Sequence, residues 1–447
     1  MASLDDLPVC ILQCIVMLLP LLDAVRISTL SRRLRAAWMG MDTYQLDASV
    51  IPDHVAYRNA AFGSLVDDVV FNHSGPGIKF ISLANTRYGF DGDQRVTAWL
   101  NRLASPDHHR LETLDVDIGA VVHTPASLFR CETLVDLRLM VHGNARGLGA
   151  VHLPALRRLC LEHVVFSSTS FQNLMDGCQS SLEMLHLIHC VVADREDDAG
   201  SINIRGEALR RVVFNGITGY GMVPFEVSAP NVDEFVFSGR NMVIAENGGV
   251  RRLVARKLSL LMDDKVWLYR MFAPLYFLSV GTNMARIISG FHGLLELVIS
   301  GWSIEYLSRI VHNVNLPEWG IEVLRVEGMW PNQGQAGIVL RLLRSSPCLK
   351  DLYITNELDH PELISTDANR EDYPETPQFL FEAVPGRLSH LKFFLMRNFT
   401  GDLNEMSIVH FVRGSSFISS IDHPDDFRVM DVFGHNWINT INNLQLL

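Results

Sequence analysis

The chain has 447 residues, of which 48% are hydrophobic and 20% charged, the composition of a folded globular protein. Its net charge of −12 lacks the basic footprint that a general nucleic-acid binder needs. No stretch reaches the roughly 18 uninterrupted apolar residues of a membrane helix, so neither nucleic acid nor a membrane is expected as a partner. Seven cysteines, an odd number with no CxxC, predict reduced and mostly buried thiols and a cytoplasmic and/or nuclear setting. The apolar run from Val9 to Leu22 follows Asp5 and Asp6 and is broken by Pro20, so it does not read as a signal sequence.

Between Pro8 and Pro20, residues Ile11, Leu12, Ile15, Leu18 and Leu19 fall at helical spacing. Pro8 is tolerated in a first turn and Pro20 ends the helix. A second short helix is expected after Asp23 as its N-cap, carrying Ala24, Val25 and Ile27. A third carries Leu30, Leu34 and Trp38, spaced by four. Three short helices in about 40 residues cannot bury so much apolar surface alone. Much of it must face another protein or the rest of the chain.

The string from Leu7-Pro8 through Leu30-Ser31-Arg32-Arg33 resembles the F-box. That resemblance implies a domain over residues 1–45 that docks on a Skp1-type adaptor and, through it, on the cullin of a ubiquitin ligase. It also implies the contact residues: Leu7, Pro8, Ile11, Leu12, Ile15, Leu18, Leu19, Pro20, Ala24, Val25, Leu30, Ser31, Arg32, Leu34 and Trp38. Members of the family usually carry Trp between the positions of Arg33 and Arg35. Leu34 stands there instead and offers the dock less area.

A strand is predicted around Tyr44 to Ala48. The apolar runs Val66–Phe71 and Ile78–Leu83 follow, separated by a turn at Gly75, Pro76 and Gly77, and then a short helix over Val96–Leu103. From Leu111 a Leu-x-x-Leu-x-Leu pattern repeats. Its units are Leu111/Leu114/Val116, Leu134/Leu137/Leu139, Leu156/Leu159/Leu161, Leu182/Leu185/Leu187, Leu209/Val212/Phe214 and Val232/Phe235/Phe237. They continue as Val250/Leu253/Ala255, Leu275/Leu278/Val280, Leu294/Leu297/Ile299, Ile321/Leu324/Val326, Leu349/Leu352/Ile354 and Leu388/Leu391/Phe393. The period is that of leucine-rich repeats. Positions two apart on a strand share a face, so the last two apolar residues of each unit point inward, and stacking the next unit buries that face. The expected fold is α/β: three N-terminal helices, then a leucine-rich-repeat solenoid over 46–387 with a curved parallel sheet.

The connecting segments return on the convex side, with helices at Ile304–Val314 and Ala336–Leu343 and a solvated loop at Val191–Ser201. An insertion near 357–386, rich in Asp, Glu and Pro, reads as an exposed loop. Residues 388–447, from Leu388 through Phe411, resemble the FBD region of plant F-box/leucine-rich-repeat proteins, with a divergent tail from Ser419.

No catalytic motif is present: the chain has no P-loop, no H-E-x-x-H and no G-x-S-x-G. His186 and His189 point to opposite faces of a strand, so they are not read as metal ligands. Asp115 and Asp117 share one face and read as solvated rather than as an acid–base pair. The expectation is a non-enzyme without cofactor: the substrate-recognition subunit of an SCF-type ligase. Its protein substrate, unknown from sequence, is expected on outward strand positions late in the array: Phe277, Arg325, Tyr353, Lys392 and Phe394. Two alternatives stand beside it, a repeat scaffold that does not bind the adaptor and a small-molecule co-receptor of the same architecture.

Overall fold

A computed structural model describes residues 7–51, 58–85, 93–105, 110–145, 148–192, 202–216, 218–219, 225–238, 253–262, 273–310, 316, 318–357, 378–416 and 427–429. The chain divides into two compact units, residues 1–209 with 217–223, and residues 210–216 with 224–447.

The first unit opens with helices α1 (Val9–Met17), α2 (Leu21–Ser28) and α3 (Arg32–Met39). Leu12, Leu34 and Ala37 form their shared core, and Leu7 and Ile27 pack against it. The expected Asp23 cap is a correction: α2 starts three residues earlier, capped by Pro20, and Asp23 sits in its first turn, where a negative charge meets the positive helix end. Ser31 caps α3, its hydroxyl accepting from the Leu34 amide at 3.1 Å.

Strands β1 (Thr43–Asp47), β2 (Phe80–Asn85), β3 (Thr113–His123), β4 (Asp136–Asn144), β5 (Arg158–Glu162) and β6 (Met184–Ile188) then pair in order, all parallel. One inward column runs Tyr44, Ile81, Leu114, Leu137, Leu159, Leu185, and the other runs Leu46, Leu83, Val116, Leu139, Leu161, Leu187. All twelve side chains are buried. The repeat therefore begins two units earlier than the leucine pattern indicates, at Met41/Tyr44/Leu46 and Ile78/Ile81/Leu83. The run Val66–Phe71 belongs to helix α4 (Arg58–Phe71), which buries Phe62, Val66, Val69 and Val70. Helix α5 (Asp93–Leu103) buries Val96, Trp99, Leu100 and Leu103, the face that the spacing predicts. Helix α6 (Ser168–Cys178) backs the last repeats of this unit.

Leu185 has no solvent exposure and stacks beside Leu159 in the inward column. Leu185→Ala is expected to cost about 3 kcal/mol, within the ~2–5 kcal/mol range for buried leucines. Chemical denaturation of the full chain checks it; a neutral result would break the register given above.

The second unit continues the pattern with β7 (Arg211–Asn215), β8 (Glu234–Ser238), β9 (Lys257–Leu261), β10 (Glu296–Ser300), β11 (Val323–Met329), β12 (Asp351–Asn356), β13 (Phe393–Arg397) and β14 (Phe427–Val429). They too pair parallel in that order, and Leu258, Leu297, Leu324, Leu352 and Phe394 stack in one inward column. Helices α7 (Ala273–Gly290), α8 (Gly301–Ser308) and α9 (Gln333–Arg344) lie between strands. Helix α10 (Leu403–Ser415) follows β13. At the start of α8 the chain runs so close to β11 that a Cβ on Gly301 would meet the Gly328 carbonyl oxygen at 1.8 Å.

Three expected units are corrected here. Val250/Leu253/Ala255 gives way to Ala255/Leu258/Leu260, because β9 carries the ladder while Leu253–Val254 pairs aside with Phe291–His292. Leu275/Leu278/Val280 falls in α7, where Val280, Met284, Ile287 and Ile288 continue at helical spacing and are buried. Leu388/Leu391/Phe393 shifts by three residues to Leu391/Phe394/Met396. The four-residue apolar run from Phe393 to Met396 has no alternation with which to fix its own phase. In the divergent tail, Phe427–Val429 adds a further parallel strand on β13.

The insertion lies largely outside the described residues, at 358–377. In its described end, Gln378–Phe381 makes a single 3-10 turn with Leu380 buried, and Arg344 donates to the Glu382 carbonyl at 2.7 Å. The loop expected at Val191–Ser201 lies outside the described residues beyond Val192.

Candidate protein-interaction surfaces

The N-terminal helices turn one apolar stripe inward and leave another in solvent. Leu12, Ala24, Leu34 and Trp38, expected at the adaptor contact, are buried within the chain, where they pack against its own residues. Leu34 in particular completes the core of the three helices, so a smaller residue than Trp there does not subtract from an outer face. Trp38 packs edge-on to Tyr44, with ring centroids 5.4 Å apart, and the Tyr44 hydroxyl donates to the Trp38 carbonyl at 2.7 Å. Burial pushes the Tyr44 phenol well above its ordinary range.

Pro8, Ile11, Leu18, Pro20, Leu30 and Arg32 are exposed, and Leu7, Ile15, Leu19, Val25 and Ser31 are half-buried. Leu18 keeps 86% and Leu30 75% of their surface in solvent. Cys10, Cys14 and Met17 extend this face along α1, and the spacing argument missed them. The signal was present: 10, 14, 17 and 18 share one side of a helix. The expectation of mostly buried thiols is corrected accordingly, since Cys10, Cys14 and Cys348 are exposed, Cys160 is intermediate, and three are buried.

On the first unit, charged pairs sit at outward strand positions. Arg158 pairs with Asp136 at 2.7 Å and Arg138 with Asp115 at 3.6 Å. Asp115 and Asp117 do share the outward face of β3. Burial raises the Asp117 carboxyl, Arg138 opposes the shift, and Asp115, Glu162 and Asp47 add to it. Arg138 faces both carboxylates, so each is part of an ionic surface.

His142 near the end of β4, and His163 and His189 just past β5 and β6, line up as a row of rings, with centroids 5.0 and 5.2 Å apart. His163 and His189 hold left-handed backbone at φ 57° and 49°. Among the described residues no group of His, Cys, Asp or Glu is arranged to hold a metal ion. Burial lowers the affinity of His163 for a proton, Glu162 opposes this, and His142 and His189 lower it further. The folded chain thus protonates His163 below the ordinary value of about 6.5. The contribution of this group to stability is present above that pH and is lost as pH falls through the lowered value. His142→Asn with His189→Asn is expected to raise the His163 midpoint, read by its NMR titration; an unchanged midpoint would exclude the coupling.

On the second unit, Lys257 lies 3.8 Å from Glu234 and 3.6 Å from Glu296, and Glu296 pairs with Arg325 at 3.2 Å. The Arg325 guanidinium sits 4.1 Å over the Tyr353 ring, whose centroid is 5.2 Å from that of Phe393. The structure brings Arg325 and Tyr353 together and adds Phe393. The rest of the expected surface is corrected. Phe394 has no exposure because it belongs to the inward column. Phe277 lies in α7, not on a strand. Lys392 is exposed but precedes β13.

Residues 4–46 match the family model of the F-box domain. Residues 96–262 match a family model described as FBD-associated F-box protein At5g56370, LRR repeats. Similar curated proteins, all from Arabidopsis thaliana, include F-box/FBD/LRR-repeat protein At2g26030, 25% identical over 52% of this chain and 52% of its own length. Putative F-box/FBD/LRR-repeat protein At5g44950 is 25% identical over 55% of both chains. FBD-associated F-box protein At4g13985 is 31% identical over 39% of both. The chain thus spans about half or less of the length of the relatives it matches. Among the described residues no helix is long and apolar enough to cross a membrane.

Proposed function

We infer that this chain, which carries an F-box followed by leucine-rich repeats like those of FBD-associated F-box proteins, is the substrate-recognition subunit of an SCF-type ubiquitin ligase. Residues 1–45 dock the Skp1-type adaptor and through it the cullin, 46–387 present the substrate surface, and 388–447 close the array. The chain binds and does not catalyse; the transfer chemistry belongs to other subunits, and the receptor contributes by holding a target lysine near the loaded ubiquitin carrier. The observation that carries the reading is the exposed apolar face of α1, with Ile11, Met17 and Leu18 left in solvent by helices that already possess their own core. An apolar stripe left uncovered beside a satisfied core is the mark of a protein contact. The test is capture of the tagged full chain from cells with the proteasome blocked. Adaptor and cullin in the captured set support the reading, and their absence removes it in favour of a repeat scaffold.

Within this reading, the substrate surface centres on Arg325, Tyr353 and Phe393. A guanidinium stacked on a half-exposed tyrosine is a stiff anchor of the kind that dominates protein contacts. Arg325→Ala with Tyr353→Ala is expected to weaken substrate capture at least about tenfold, the factor ~1.4 kcal/mol represents, without changing adaptor capture. Equal capture of substrates by parent and variant would place the contact elsewhere.

A further inference from the structure

We propose that Cys10 and Cys14 form a thiol-modification site at which low-molecular-weight disulfides block docking on α1. The proposal rests on the reading of α1 as the adaptor-docking helix. Both thiols are free and exposed. They lie four residues, about one turn, apart on α1, and Met17 and Leu18 carry the same exposed stripe onward. The interior thiols contrast with them: Cys131, Cys178 and Cys190 are buried, and burial pushes Cys178 and Cys190 up to about 12. A thiol that stays protonated is a poor nucleophile, so Cys178 and Cys190 are inert, and burial shields Cys131 from a bulky disulfide.

The chemistry is exchange with a glutathione-type disulfide. The Cys10 or Cys14 thiol gives its proton to solvent, and the thiolate attacks one sulfur of the small disulfide. A new S–S bond to the protein forms, the original S–S bond breaks, and the departing thiolate takes up a proton. The small disulfide is the only oxidant required. A second exchange that would join Cys10 to Cys14 is disfavoured. Cβ atoms one helical turn apart lie roughly 5–6 Å from each other, whereas a disulfide needs about 3.5–4.5 Å. The mixed disulfide therefore persists until an external thiol removes it. It plants a charged tripeptide on an apolar stripe that docking must desolvate, and burying charge without a partner is costly.

The experiment treats the reduced full chain with glutathione disulfide, removes the excess, and maps the adducts by peptide mass before adaptor binding is measured. The expected result is adduct on Cys10 or Cys14, none on Cys131, Cys178 or Cys190, and at least about tenfold weaker adaptor binding that dithiothreitol restores, tenfold being ~1.4 kcal/mol. The Cys10→Ser/Cys14→Ser chain should bind with the same affinity before and after treatment, while Cys348→Ser should remain sensitive. Adduct without loss of binding, no adduct at either position, or equal sensitivity of the double variant overturns the proposal alone. Failure of the reduced parent chain to bind the adaptor overturns the docking reading as well.

Discussion

Ile11→Asp combined with Leu18→Asp is expected to abolish adaptor capture while changing the thermal unfolding of the chain only slightly. Both side chains are exposed, at 45% and 86%, so an aspartate there meets water in the free protein, and the one cost is the Leu18 position at the C-cap of α1, where a carboxylate faces the negative helix end at up to ~1 kcal/mol. In a docked complex the same two carboxylates would be desolvated against an apolar partner. A buried charge without a partner costs several kcal/mol. About 4 kcal/mol in total would already weaken binding roughly a thousandfold. Leu12→Asp makes the contrast: Leu12 is fully buried against Leu34 and Ala37, and a charge there should unfold the three helices themselves. Calorimetric titration with purified adaptor reads the first effect and circular dichroism the second. Full-strength binding by the Ile11/Leu18 variant would remove α1 from the interface.

The contrast between Leu12 and Leu18 also marks what the sequence could convey. Apolar residues at helical spacing announced α1, but a stripe that wraps most of a short helix does not say which side meets its own core. That was settled by Leu34 and Ala37, supplied by α3. The resemblance grouped all of these residues by family role, and four of them proved to be interior. In the repeats, legibility followed leucine. From Leu111 to Leu187 each inward position carries a leucine or a valine, and the pattern matches the ladder residue for residue. Tyr44, Leu46, Ile81 and Leu83 hold the same inward places, but their units lack the leading leucine and went unread. Where the run is apolar on both phases, as at Phe393 to Met396, only the partner strand fixes the register. The outward surface was half legible for the same reason. Arg325 and Tyr353 sit on strands with a clear phase, whereas Phe277 and Phe394 were placed by units that the chain does not form. The histidine stack left a faint trace, since each ring follows the last inward residue of successive repeats by two or three positions, but nothing in one sequence marks such a spacing as contact.

Glu405→Ala is expected to destabilise the second unit by about 3 kcal/mol or more, because it strips the acceptor from several buried donors, each costing ~1–3 kcal/mol when orphaned. Glu405 is fully buried in the first turn of α10, where it completes a capping box with Asp402. Its Oε2 accepts from the amides of Thr400, Gly401 and Asp402 at 2.9, 2.8 and 3.0 Å, and from the Thr400 hydroxyl. Its Oε1 accepts from the Asn356 side-chain amide at the end of β12. Asn398, held in left-handed backbone at φ 55°, donates back to the Asn356 carbonyl at 2.8 Å. One carboxylate thus ties α10 to two successive strands of the ladder. Burial raises this carboxyl above its ordinary range, and the hydrogen bonds from Thr400, Asp402 and Gly401 work against that shift. Removing the acceptor orphans donors that folding has already taken out of water, each costing ~1–3 kcal/mol before relaxation. Glu405→Gln keeps the shape and an acceptor oxygen but turns one donor against another, so it should fall between parent and alanine. Urea denaturation of the full chain, followed through the loss of far-UV signal, would show the order parent, glutamine, alanine. A Glu405→Ala chain as stable as the parent would mean that α10 is held by its apolar face, Ile408, Val409, Phe411 and Val412, without help from the carboxylate.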